Sequence, residues 1–497
     1  MSHKIEIDPK PRFDLSPQLY MQFMEPLGTT DSSVEAAWDF ATHSWRPQFI
    51  EVVRQLGPGC IRWGGILTSF WKWREGVGPR DQRKPMLNYL WGGLESNQVG
   101  VHEILDLCQQ VNADPLMAIN FAADGRPAYL NTAAGENRAG TPEEAADLVS
   151  YCNDPDNAER RANGQPEPWN IKLWQIGNET SYPKAGQRFT SEENVTHYRE
   201  FAQAMRARDP RIKLIGWGDE ERDSDRWWVT DLLDAAEGEI DYVAAHMMHQ
   251  RPQRENSILV SQEYARDYDC AWEELGEIYG AVVTKLDTLR QKIEATSAPV
   301  PLALTEGHLS LRPHNTNTLL HEWLSGLYHA RVMSLYERNG DLVKIATLAD
   351  FFGTRWTVNA VMLGGPHQNA YLMPVGVIMQ FFKDHSGPHG LQVTPAVGSL
   401  ELSASRSDSR VYLHVVNTDL HRSEALDLAL DQTVIRSARV FEIAPGDVAA
   451  YVDHERPNPF TPVERSVEVK DNRVSWTFPA ASVSVLELDI ATDAIGQ

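Results

Sequence analysis

Two glutamates each close an apolar run, a placement that suits proton transfer and nucleophilic attack. Glu179 ends Trp169-Asn170-Ile171-Lys172-Leu173-Trp174-Gln175-Ile176-Gly177-Asn178-Glu179, and Glu306 ends Val300-Pro301-Leu302-Ala303-Leu304-Thr305-Glu306. A strand running into Asn-Glu sets a carboxyl group beside a hydrogen-bonding amide. Apolar walls or a neighbouring carboxylate raise the pKa of such a group towards neutrality, as a general acid requires. Two carboxyls facing each other across a cleft can cleave a glycosidic bond. A gap of about 5 Å means retention through a covalent intermediate, and a wider one means inversion through a positioned water.

The elements that must position them follow from the apolar pattern. Short, nearly continuous apolar runs predict strands at 20–25, 60–65, 115–120, 171–178, 213–218, 242–246, 301–306 and 343–349. Continuous rather than alternating apolarity marks parallel strands covered on both faces. Helical spacing of apolar residues predicts helices between them, at 47–56, 101–111, 143–151, 193–206, 228–236, 271–293 and 319–336. Thr141-Pro142-Glu143-Glu144 supplies a capping hydroxyl, a first-turn proline and a glutamate at the capping-box position. Eight strands alternating with helices predict a (β/α)₈ barrel over residues 18–371. After residue 372 short alternating runs predict an antiparallel β-sandwich to residue 497, and the first strand, within residues 1–17, is expected to join it.

Chemistry in such a barrel sits at the C-terminal ends of the strands. The polar residues found there are Glu25, Arg62, Asn120, Asn178 with Glu179, Asp219, His246, Glu306 and Asp350. Glu25 and Arg62 suit either sugar hydroxyls or a structural pair with each other. His246 suits either orienting a carboxylate or filling the wall. A lone histidine is no metal site, and His246 with His249 lacks zinc-ligand spacing, so neither metal nor organic cofactor is expected. Trp71, in Phe70-Trp71-Lys72-Trp73-Arg74, and the later Trp91 offer aromatic faces for stacking on a sugar or for core packing.

Composition narrows the class. The chain has 497 residues, with 46 Lys and Arg against 69 Asp and Glu, for a net charge of -23. That field repels phosphate backbones and anionic lipids, so neither nucleic acid nor a membrane is an expected partner. The four cysteines are scattered without C-x-x-C pairs, and the N-terminus has no apolar signal segment. A cytoplasmic location is expected. No G-x-G-x-x-G or P-loop motif follows an early strand, and no lysine ends strand six or seven, which disfavours a dehydrogenase or an aldolase.

The chain resembles the α-L-arabinofuranosidases of glycoside hydrolase family 51, within the clan of retaining barrel glycosidases. The resemblance is carried by Ile61-Arg62-Trp63-Gly64-Gly65, by Trp73-Arg74-Glu75-Gly76-Val77-Gly78-Pro79-Arg80-Asp81-Gln82-Arg83, and by Trp174-Gln175-Ile176-Gly177-Asn178-Glu179. It implies Glu179 as acid/base, Glu306 as nucleophile, Asn178 near the 2-hydroxyl, and Glu25 and Arg62 lining the sugar subsite. It also implies an exo-acting arabinofuranosidase working on oligosaccharides or glycosides, and a homo-oligomer, often a hexamer. The recognition shell departs from the family pattern. Pro26 stands for a histidine, Ile66 for an asparagine, Met248 for a tyrosine, Asp350 for a glutamine, and the nucleophile lies in Thr305-Glu306-Gly307 rather than Asp-Glu-Trp. Losing hydrogen-bonding groups from a built site shifts selectivity strongly. The changed shell therefore keeps open another sugar, such as β-D-galactofuranose, and a non-catalytic carbohydrate-binding relative.

Overall fold

The computed structural model describes residues 2–32, 34–65, 67–183, 186–223, 226–249, 254–365 and 368–491. Ile66, where the resemblance places an asparagine, lies outside the described residues.

Eight parallel strands form one sheet, and chain order is also spatial order. They are β1 (Met21–Met24), β2 (Cys60–Trp63), β3 (Asp114–Ile119), β4 (Leu173–Ile176), β5 (Lys213–Trp217), β6 (Tyr242–His249), β7 (Leu302–Leu309) and β8 (Val343–Ala346). The sheet is a nearly closed barrel. Among the described residues no ladder joins β8 to β1, and the turn Pro17–Tyr20 that leads into β1 packs against β8. β1, β2, β4 and β7 are buried along their whole length, as continuous apolar runs require.

A helix follows each strand: α1 (Pro47–Leu56), α2 (Val101–Val111), α3 (Pro142–Asn153), α4 (Ser191–Arg208), α5 (Trp228–Ala235), α6 (Tyr268–Glu294), α7 (Trp323–Arg338) and α8 (Pro374–Asp384). α1 buries Phe49, Ile50, Val53 and Leu56 on one face and stops at Gly57, whose φ of 61° is left-handed. Thr141 accepts from the Glu144 amide at the head of α3, and Thr190 with Glu193 forms a reciprocal capping box on α4. α8 starts beyond the expected change of pattern at residue 372. It packs on α1 and α7 and shares the barrel core through Ile378, Met379 and Phe382, so the barrel's helical layer continues to Asp384.

The eighth strand is shorter than its apolar run. Thr347 Oγ1 bonds locally to the carbonyl and amide of Ala349, which diverts the backbone from the ladder. Asp350 therefore does not end β8. It opens a separate strand, Asp350–Gly353, paired in parallel with Asn359–Met362 and lying beside β1.

Two further sheets carry the remaining strands. In one, Ser2–Ile7 pairs in parallel with Glu424–Leu430, which pairs antiparallel with Arg473–Phe478. The other is mostly antiparallel and centres on Leu400–Arg406, Arg410–Asn417, Val483–Ile490 and Ile435–Ile443. Their facing side chains, among them Ile7, Leu413, Leu428, Val474 and Leu488, make a second core. Glu337, buried on α7, bridges the units by accepting from Tyr20 and Ser403 and pairing with His414 at 3.0 Å. No helix among the described residues is long and apolar enough to cross a membrane.

Candidate active site

The C-terminal ends of β2, β4, β6 and β7 converge on one buried cluster. A bulge in the β6–β7 register places the core of it. Ala245 opposes Leu304, whereas His246 opposes Glu306, so Thr305 is the extra residue on β7. The consecutive side chains of Thr305 and Glu306 then both reach the His246 ring. Thr305 Oγ1 lies 3.1 Å from Nε2, and Glu306 Oε2 lies 3.6 Å from Nδ1. Glu179 Oε1 comes to the same Nδ1 at 3.1 Å from the end of β4. One oxygen of each glutamate and one ring nitrogen lie within 4.8 Å of one another. When Glu179 is ionised it only accepts, so the imidazole hydrogen then sits on Nδ1 and Nε2 accepts from Thr305; protonated, Glu179 can itself donate to Nδ1.

Arg62, fully buried at the end of β2, ties this cluster to the barrel floor. Its Nη1 donates to Glu306 Oε1 at 2.9 Å, Nη2 to Asn178 Oδ1 at 2.7 Å and Nε to Gln175 Oε1 at 2.7 Å. A planar guanidinium serves three acceptors in fixed directions, which an ammonium cannot do. The pair it forms is with Glu306, not with Glu25.

Glu179 sits on a constrained backbone. Gly177 has a φ of 84° and Glu179 itself a φ of 51°, a left-handed conformation that is strained for a non-glycine residue. A turn after β3 holds it there. Ala122, Ala123 and Asp124 are consecutively left-handed, with φ of 48°, 57° and 49°. The turn aims Asp124 at the hydroxyls of Thr68 and Ser69 and at the Asn178 amide. Arg126 spans from Asp124 to the Glu179 carbonyl, which it meets at 2.9 Å. Burial raises the Asp124 carboxyl pKa, although Arg126 and the hydroxyls oppose the shift.

A second support lies behind the cluster. Asp219, fully buried after β5, accepts from Lys285 of α6, from the Tyr182 hydroxyl at 2.8 Å and from the His246 amide at 3.3 Å. Burial opposes the charge on Lys285, and the carboxylates of Asp219, Glu220 and Glu221 outweigh it, so its pKa stands above the ordinary value. The neighbouring Glu221 carboxyl is pushed up to about 7, mainly by burial and then by Asp219.

The pocket over this cluster is lined by Glu25, Asn178, Glu179, Glu306 and Asp350, together with Trp91, Met248, His308, His314, Asn315 and Trp356. Glu25 ends β1 and accepts from Trp91 Nε1 at 2.9 Å. Its carboxyl lies so close to Gly65 that a Cβ there would stand 2.5 Å from Glu25 Cδ. His246 and Arg62 stand beneath the pocket and act on it through the two glutamates. Two of the candidate residues are turned elsewhere. Trp71 is 3% exposed and packs edge-on against Trp63 at 5.6 Å, which favours core packing over the stacking on a sugar also expected of it. Asn120 is turned into the loop, donating to the carbonyls of Trp71 and Arg138.

The sequence reading passed over Trp356, His308, His314, Asn315, Asp124 and Arg126. His308 stands two residues beyond Glu306 on the same strand, a spacing that could have marked it. Trp356 had no local signal. It is brought in by Asp31, which accepts from the amides of Thr354, Arg355 and Trp356, and its ring meets Trp91 at 5.5 Å.

A (β/α)₈ barrel joined to an antiparallel sandwich, with one carboxylate after β4 facing another carried on β7, is the architecture of barrel glycoside hydrolases. Comparison with known proteins narrows it. Residues 52–267 match the α-L-arabinofuranosidase 1 domain, and residues 312–482 match the α-L-arabinofuranosidase C-terminal domain. The chain belongs to the α-L-arabinofuranosidase family. Glu306 and His308 fall between the two matched ranges. The chain is 29% identical over 255 residues to an intracellular exo-α-(1→5)-L-arabinofuranosidase of Acetivibrio thermocellus, a match covering 50% of this chain and 46% of that one. It is 32% identical over 248 residues to an exo-α-(1→6)-L-arabinofuranosidase of Bifidobacterium longum, covering 47% and 44%. These matches span less than half the length of the curated relatives. The fold is shared more widely. The family 51 α-L-arabinofuranosidase AbfB of Bifidobacterium longum superposes with a TM-score of 0.79 at 19% identity, covering 98% of this chain and 99% of that one. The α-L-arabinofuranosidase of Thermotoga maritima, solved with arabinose, gives 0.75 at 24% identity, covering 98% and 100%.

Proposed function

We propose that this protein is an exo-acting α-L-arabinofuranosidase that works by double displacement with retention of configuration. The observation that carries the reading is the spacing of Glu179 and Glu306, whose nearest functional atoms lie with His246 inside 4.8 Å. Oxygens that close suit the roughly 5–5.5 Å carboxyl separation of retaining enzymes better than the wider gap of inverting ones. Glu306, fixed by Arg62, attacks the anomeric carbon while Glu179 protonates the leaving oxygen. Glu179 then takes a proton from water, and the hydroxide equivalent releases the sugar from Glu306. Asn178 and Glu25 hold sugar hydroxyls, and no metal or organic cofactor takes part. The name of the Acetivibrio thermocellus relative, an intracellular arabinofuranosidase, supports a cytoplasmic location. We further propose a homo-oligomer, a hexamer on the family resemblance, which light scattering on the purified protein tests.

The deciding experiment is turnover of 4-nitrophenyl α-L-arabinofuranoside, with the first-formed anomer read by NMR. Retained configuration is expected, and Glu306→Gln lowers kcat by several orders of magnitude. An inverted first product, or full activity of the Glu306→Gln protein, overturns the mechanism. Met248 and Asp350 in the pocket wall favour one other reading, a related enzyme for a different furanoside. Faster hydrolysis of another nitrophenyl glycoside, such as the β-D-galactofuranoside, selects it. Sugar binding without any turnover selects a non-catalytic relative.

A further inference from the structure

His308 follows Glu306 by two residues on β7, and alternation along a strand puts both side chains on one face. Both line the pocket, with Asp350 and Met248 beside them. His308 is 8% exposed, and its Nδ1 lies 2.7 Å from Asp350 Oδ1. An ionised carboxylate only accepts, so Nδ1 carries the ring hydrogen and Nε2 presents a lone pair. That Nε2 is buried and has no hydrogen-bond partner among the described residues. Buried polar atoms without partners are rare in native proteins and call for a specific explanation. The neighbouring wall supplies none. The cross-strand partner Met248 is apolar, and Glu25 is engaged by Trp91.

We infer that His308, oriented by Asp350, is a specificity-determining residue whose Nε2 accepts a hydrogen bond from one hydroxyl of the sugar held against Glu306. The inference rests on the furanosidase reading and gives it a recognition element in place of the family's usual shell. Asp350 acts through His308, fixing its tautomer and ring plane, and is a positioning residue. A site built around a sugar hydroxyl discriminates against the analogue that lacks it, because the buried acceptor is then left bare.

The test compares kcat/KM on 4-nitrophenyl α-L-arabinofuranoside with its 2-, 3- and 5-deoxy analogues, for the wild type, His308→Ala, His308→Gln and Asp350→Asn. The ratio of each analogue to the parent is compared between proteins, so that differences in intrinsic reactivity, common to all of them, cancel from the comparison. The wild type is expected to lose about 10- to 100-fold on the one analogue lacking the bonded hydroxyl. His308→Ala turns over parent and that analogue alike, while its discrimination at the other two positions is unchanged. His308→Gln, whose amide oxygen reaches towards the Nε2 position, restores part of the discrimination. Asp350→Asn preserves the volume and erodes the same ratio several-fold, and it serves as the second variant should His308→Ala fail to fold in a thermal melt. Equal slowing of all four substrates by His308→Ala, or discrimination identical to the wild type, overturns the assignment. Wild-type inactivity on all four glycosides is a different result. It overturns the arabinofuranosidase reading and the assignment with it.

Discussion

Replacing Arg62 with leucine should injure stability and chemistry together, by amounts that the contacts set. The guanidinium is 0% exposed and serves Glu306, Asn178 and Gln175 at 2.7–2.9 Å. Removing one partner of a buried ion pair costs about 3–5 kcal/mol, because the remaining charge is left uncompensated. Each neutral acceptor left bare adds about 1–3 kcal/mol, less where pocket water reaches it. A destabilisation of roughly 4–8 kcal/mol follows. With an unfolding entropy of about 2.1 cal/mol/K per residue, 497 residues give about 1 kcal/mol/K, so the melting temperature should fall by about 4–8 °C. Glu306 and Asn178 also lose their common anchor. A misplacement of about 1 Å at the reacting centre costs about 100-fold, so kcat on the aryl arabinofuranoside should drop by at least that. Arg62→Lys is the control. It keeps the charge yet cannot reach three acceptors in one plane, so it should recover part of the stability and little of the rate. Scanning calorimetry and steady-state kinetics on the three proteins give both readings. An Arg62→Leu protein that melts within about 1 °C of the wild type and keeps kcat within about threefold refutes the idea that this side chain holds the site.

Other expectations follow from single contacts. Gly65→Ala puts a methyl group 2.5 Å from Glu25 Cδ at a φ of 78°, so Glu25 must swing away. KM should rise about tenfold or more while the Arg62 cluster stays intact, and an unchanged KM would show that Glu25 does not touch substrate. Glu221 should make stability fall as pH rises. Its folded pKa of about 7 exceeds the ordinary 4.5, so the favourable protonated form is fully present below pH 4.5 and is lost as pH climbs through 7. The gap corresponds to roughly 3 kcal/mol at most, reduced by partial exposure. Glu221→Gln should flatten that part of the stability–pH curve, measured by denaturant unfolding at pH 4.5 and 8. A curve with unchanged slope would place the titration on another group.

Much of this architecture was legible in the chain. Parallel strands sheathed by helices must be apolar throughout, so the eight runs stand out, and helices such as 47–56 and 101–111 are bounded by their own glycine and asparagine caps. Glu25, Glu179 and Glu306 reach one pocket because strand ends in a barrel share one rim. What escaped depends on contacts distant in sequence or on backbone details that no periodicity records. Asp350 looked like the end of a strand, but the hydroxyl of Thr347 breaks that strand first. Trp71 looked like a stacking platform, but Trp63 claims its ring. Trp356 enters through an aspartate more than three hundred positions earlier in the chain. The left-handed turn at Ala122–Gly125 reads as an ordinary small-residue loop in the sequence.

The pairing of Ser2–Ile7 with Glu424–Leu430 has a consequence for how the molecule is assembled. That sheet takes its edge strand from one end of the chain and its middle strands from the other, so the barrel is an insertion between two halves of the sandwich. During synthesis the barrel helices and strands emerge while the early strand is still without its partner. That sheet can pair only once residues 424–430 have emerged, and it then ties the barrel's entry to its exit. Fragments starting near residue 372 would lack an edge strand that they cannot supply themselves, and their exposed ladder at Glu424–Leu430 would be open to pairing with other chains. Supplying residues 2–14 as a separate peptide, or grafting them after the C-terminal strand, is the route to a sandwich that stands alone.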